Sequence, residues 1–148
     1  MWGRLRQDGW NATEAIARLL VGGKFLPQLH LVLLDGLSFG GLNLVDLPRL
    51  AAALGRPCVA VMRRAPDLVA MERAIRRLPG PERRLALLQA AGPVCTAGRF
   101  TFQVAGAEPL AVADALARLT DRGEVPEALR LAHLVGAAVE RGESGRRA

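Results

Sequence analysis

Tyrosine is missing from this 148-residue chain, and the remaining aromatics are two tryptophans and four phenylalanines. With so few rings, Trp10 reads first as a core or interface anchor, and stacking on a base is the alternative. Cysteine is almost as scarce. Cys58 and Cys95 sit in apolar, strand-like contexts, RPCVAVM and GPVCTAG. Neither has metal-ligand spacing, and both suit buried reduced thiols better than a disulfide framework. No apolar run reaches the roughly 18 residues that a membrane span requires. Met1–Trp10 is polar, carries Arg4 and Arg6, and has no apolar segment of the kind a signal peptide needs. The expectation is a cytoplasmic protein with no membrane association. There is also no internal repeat and no low-complexity linker, so residues 1–148 read as one domain, which at this size buries about two-thirds of its unfolded surface.

Lysine is nearly absent too: of 20 basic residues only Lys24 is one, and the rest are arginine. The net charge of +6 makes a polyanionic partner plausible, because the summed field attracts phosphates. Much of the charge lies in Arg63–Arg84, RRAPDLVAMERAIRRLPGPERR, on the polar sides of two expected helices. That stretch reads either as a solvated face or as a nucleic-acid surface.

The segment LHLVLLDGLSFGGLNLVDL, Leu29–Leu47, carries the most chemistry. Leu31–Leu34 is uniformly apolar, as expected of a strand covered on both faces. Asp35 then falls at the strand's C-terminal edge, where open α/β sheets gather functional groups. A carboxylate against such a wall needs a cation, backbone N–H groups or a metal.

Around it the pattern alternates strands and helices. Asn11 is placed to cap a helix from Ala12 to about Leu20, with Glu14 completing a capping box and Gly22-Gly23 ending it. A strand over Leu29–Leu34 follows. Asp46 is placed to cap a helix over Leu47–Leu54, with Pro48 in its first turn and Gly55 as its stop. Cys58–Met62 reads as a second strand. Helices are expected from Asp67 to about Leu78 and from Glu82 to Ala91, then strands over Pro93–Thr96 and Arg99–Val104. Helices over Pro109–Thr120 and Pro126–Glu140 close the chain. Such alternation predicts a mostly parallel sheet with right-handed crossovers. In it Leu29–Leu34 is expected to be central, although Cys58–Met62 is its only obvious partner.

Five segments, in order, resemble one family: DGWNATEAI (Asp8–Ile16), LLDGLSFGGLNLVDL (Leu33–Leu47), VMRRAPD (Val61–Asp67), VPEALRLAHL (Val125–Leu134) and the tail RGESGRRA. Each is weak alone, but the ordered set is similar to the endonuclease dU family, relatives of endonuclease V. That resemblance implies an α/β, ribonuclease H-like fold with a mixed or parallel sheet flanked by helices. It further implies a metal-dependent endonuclease acting on DNA with deaminated bases, deoxyuridine in particular, in DNA repair. Asp35 would hold Mg2+ or Mn2+, with Asp8 as a second ligand and His133 as ligand or proton carrier. Gly40 and Gly41 would admit a phosphate or flipped base, while Arg63, Arg64, Arg130, Arg141 and Ser144 would face the DNA.

The chain also departs from the family pattern. Asn11 replaces the second aspartate of DGxDAT, and Ala128 replaces a proline. The two opening strands of the family, the first with an aspartate-rich motif beside the LLDG strand, have no counterpart here, so the resemblance implies an N-terminally truncated sheet. An inactive nucleic-acid-binding remnant, or one that dimerises through an exposed sheet edge, is the alternative. Read without the resemblance, Asp35 is a turn or capping carboxylate, His133 a solvent-facing residue with Glu127 and Arg130, and Asp8 a turn residue beside Gly9.

Overall fold

The strand Cys58–Met62 organises the molecule, because its apolar residues are buried on both sides of the sheet. The computed structural model describes residues 3–141. In chain order the elements are α1 (Ala12–Val21), β1 (Val32–Asp35), β2 (Ser38–Phe39), β3 (Asn43–Leu44), α2 (Leu47–Leu54), β4 (Cys58–Met62), α3 (Leu68–Ile75), α4 (Pro81–Ala90), β5 (Cys95–Ala97), β6 (Phe100–Ala105), α5 (Pro109–Arg118) and α6 (Glu127–Arg141). The main sheet has the order β1-β4-β6-β5, and β2 and β3 form a separate hairpin.

Successive side chains of a strand point to opposite faces, and β4 feeds two cores in this way. Cys58 and Ala60 pack with Val32, Leu34, Leu47, Leu50 and Leu54 under α1 and α2. Val59 and Val61 pack with Phe100, Phe102, Val112, Leu116 and Leu129 under α5 and α6. Burial raises the Cys58 thiol from its ordinary 9.0 to about 11. Both cysteines are free.

The α/β class holds, with a mixed sheet. The expected mostly parallel order does not: β1 is parallel to β4, while the β4–β6 and β5–β6 pairs are antiparallel. The cause is local. Ala97 pairs with Phe100, leaving Gly98-Arg99 as a two-residue turn with Gly98 at φ +57, and a connection that short can only join antiparallel strands. Nor is β1 central, since among the described residues its one sheet neighbour is β4.

The cap of α2 forms as its sequence predicts: Asp46 Oδ1 accepts from the Arg49 N–H at 3.1 Å, and Gly55 ends the helix at φ +58. That of α1 does not. Asn11 makes no capping bond; instead Asn43 Oδ1, from β3, accepts the Ala12 N–H at 3.1 Å. Glu14 pairs with Arg49 of α2 at 2.7 Å rather than closing a capping box. Thr13 Oγ1 accepts the Asp46 N–H at 2.9 Å. The starts of α1 and α2 are therefore braced through the β2–β3 hairpin and its exit. Among the described residues no helix is long and apolar enough to cross a membrane.

Candidate functional site

Asp35 is the last residue of β1 and stands opposite Val61 in β4, which puts Arg63 just beyond the end of the neighbouring parallel strand. Helix α6 packs against β1 and brings His133 to the same edge. Asp35 Oδ2 lies 3.7 Å from Arg63 Nη2 and 3.8 Å from His133 Nδ1. The three side chains are 34%, 45% and 46% exposed. Pairs this long and this wet are worth at most about 1 kcal/mol. They orient the carboxylate without committing it, and incoming groups can displace either partner.

Asp35 and His133 open onto a cleft of about 540 Å3. One wall carries Asp35, Ser38, Phe39 and Gly40; α6 supplies His133 on the other, where Ala132 and Gly136 keep the helix surface low. Gly40 has φ +54, a conformation that a residue with a Cβ adopts at a cost. The cleft thus combines one carboxylate, one imidazole, one hydroxyl and close access to backbone.

Asp8 does not line it. Its Oδ1 accepts the Leu42 N–H at 2.8 Å, and its own N–H donates to the Gly40 carbonyl at 2.8 Å. Among the described residues no three of His, Cys, Asp and Glu gather closely enough to hold a metal ion, so the expected trio of Asp35, Asp8 and His133 is not assembled. Gly41 serves Asp8 rather than a ligand: a Cβ there would stand 2.3 Å from Asp8 Oδ1, and its φ is +84.

A clamp holds this segment in place. Arg84, on α4, is 1% exposed. It donates to the carbonyls of Asp8, Gly9 and Leu42, and its guanidinium lies 4.0 Å from the centre of the Trp10 ring. Arg83 lies 4.6 Å from that ring, so Trp10 is an anchor held by two arginines. Asn43, 0% exposed, completes the latch by donating to the Arg6 carbonyl and Asn11 Oδ1, each at 2.9 Å. Sequence reading missed Arg84 because it was counted with a charged stretch. The available signal was its position: Arg84, Leu87, Leu88 and Ala91 follow the i, i+3, i+4, i+7 spacing of an inward face.

Of the remaining expected residues, Arg64 and Arg130 do not line the Asp35 cleft. Arg64 is exposed beside Arg63. Arg130 is tied to Glu127 through its Nε at 2.8 Å. Arg141 is the last residue of α6, and Ser144 lies outside the described residues.

The sequence profile of the endonuclease dU family matches residues 1–140. A UPF0215 protein of Thermococcus gammatolerans is 38% identical over 140 residues, covering 93% of this chain and 71% of that protein. One from Deinococcus radiodurans is 38% identical over 143 residues, covering 96% and 73%. The crystal structure of a protein of unknown function from Archaeoglobus fulgidus matches with a TM-score of 0.89 at 32% identity, covering 93% of this chain and 79% of that one.

Proposed function

The chain belongs to the endonuclease dU family, and on that footing we propose that it is a metal-dependent endonuclease cutting DNA at deaminated bases, deoxyuridine in particular. The observation that supports this reading is the open cleft at the end of β1, where Asp35 and His133 meet without being locked to each other.

The donor set suits a hard divalent cation that keeps several waters and takes a substrate phosphate into its shell. Asp35 would hold Mg2+ or Mn2+. When bound, such an ion lowers the pKa of a water and offsets charge on the leaving oxygen. The chain's own residues do the rest. His133, on the cleft wall, takes or returns a proton. Ser38 donates to a phosphate oxygen, and Gly40 lets the strand approach the backbone. Ile16 and Phe39 give the cleft an apolar side against which an extruded base packs.

The test is nicking of deoxyuridine-containing duplex by the full chain with Mg2+ or Mn2+, against undamaged duplex and a chelator control. The expected result is a metal-dependent nick that Asp35→Ala abolishes and His133→Ala lowers by about 100-fold. Equal nicking by Asp35→Ala would remove the proposal. The single carboxylate in the cleft favours a second reading, a nucleic-acid-binding module of this fold without cleavage. Salt-sensitive DNA binding with no nick in either metal would support that one.

A further inference from the structure

A second cleft, of about 410 Å3, adjoins the first and is lined by Arg63, Arg122, Gly123, Glu124, Val125 and Arg130. It brings three guanidinium groups together against one carboxylate. We propose that it seats the phosphodiester next to the one presented to Asp35, an inference that rests on the nucleic-acid reading above.

Three observations carry it. Arg63 links the two places, because it lines this cleft while its Nη2 stands 3.7 Å from Asp35 Oδ2. Arg130 of this cleft and His133 of the other are three residues apart on α6, about 4.5 Å along its axis. Glu127 grips Arg130 through Nε at 2.8 Å and so fixes its fork on the wall.

Three guanidinium groups against Glu124 leave the lining net positive, which attracts a phosphate dianion or a diester. Guanidinium forks match the paired oxygens of either. The exposed rim, with Arg63, Arg122 and Arg130 all accessible, admits a continuing chain. The cleft thus sets which neighbouring phosphate is gripped, and with it the direction in which the strand runs past Asp35.

The experiment measures affinity of the full chain for a lesion-free duplex by fluorescence anisotropy, in chelator, over a series of salt concentrations. Arg122→Gln is expected to bind several-fold more weakly at low salt and to reduce the slope of log affinity against log salt by about one unit. Arg122→Lys should restore most of the slope, and neither variant should change Tm. An unaltered slope in both Arg122→Gln and Arg63→Gln overturns the proposal. So does calorimetry in which inorganic phosphate binds as tightly as a dinucleotide, which would make the cleft a seat for free phosphate. With neither lesion nor metal present, a failure to cleave leaves a reduced slope standing as support. A wild-type chain that ignores DNA even at low salt overturns this proposal and the cleavage reading together.

Discussion

At the scale of the residue, the largest unexpected energy sits at Arg84. A buried guanidinium is costly unless every N–H finds an acceptor. Here the acceptors are three carbonyls and the face of Trp10, while Nε is left without a partner. Arg84→Met should destabilise the fold by about 3 kcal/mol or more, because each orphaned carbonyl costs about 1–3 kcal/mol. Urea denaturation checks this, and a loss below about 1 kcal/mol would show that the clamp contributes little. Gly41→Ala should also destabilise, through its φ of +84 and the collision with Asp8. Asp8→Ala added to Gly41→Ala should recover part of the loss, since it removes the collision and leaves the backbone strain together with the lost bond to the Leu42 N–H. Cys58 adds a pH dependence. Its folded pKa is raised by burial from 9.0 to about 11, so between those values the unfolded thiol ionises while the folded one keeps its proton. Its contribution to stability is complete below pH 9.0 and falls as pH rises towards about 11. Cys58→Ala should flatten that alkaline decline in melts taken across the range.

Among elements, what the sequence made legible follows from how local each signal is. The cap, proline and glycine of α2 lie within one turn of the residues they serve, and all three form as expected. The start of α1 depends on Asn43, 31 residues from Ala12, and no local pattern at Asn11 reveals that. Asn43→Ala should therefore cost more than Asp46→Ala. The first loses three bonds, one buried and two part-buried, at about 1 kcal/mol each; the second loses a single cap worth about 1 kcal/mol. Paired thermal melts compare the two. Sheet direction departs from the expectation for a related reason. The turn Gly98-Arg99 was readable as a hairpin, but alternating helices and strands argued for parallel crossovers. At the cleft, Asp35 and His133 were legible because each stands at the end or on the face of a strong periodic element. Arg122 was not, because its role depends on a loop folding back beside Arg63.

For the whole molecule, β4 is the shared wall of both cores. Unfolding either face exposes it, so the two faces should melt together. Val59→Ala, which removes volume from the α5–α6 side, should lower stability by about 2–3 kcal/mol while keeping one transition. Amide exchange should be slowest in β4 and its partner β6. Two separate transitions would show that the faces are independent. The clamp at Arg84 has a consequence in time as well as in space. Asp8, Gly9 and Trp10 leave the ribosome before α4 does, and the side chain that grips all three is made some 75 positions later. That segment thus has to wait for α4, and a nascent chain halted before α4 holds the hairpin beside Asp35 without its latch.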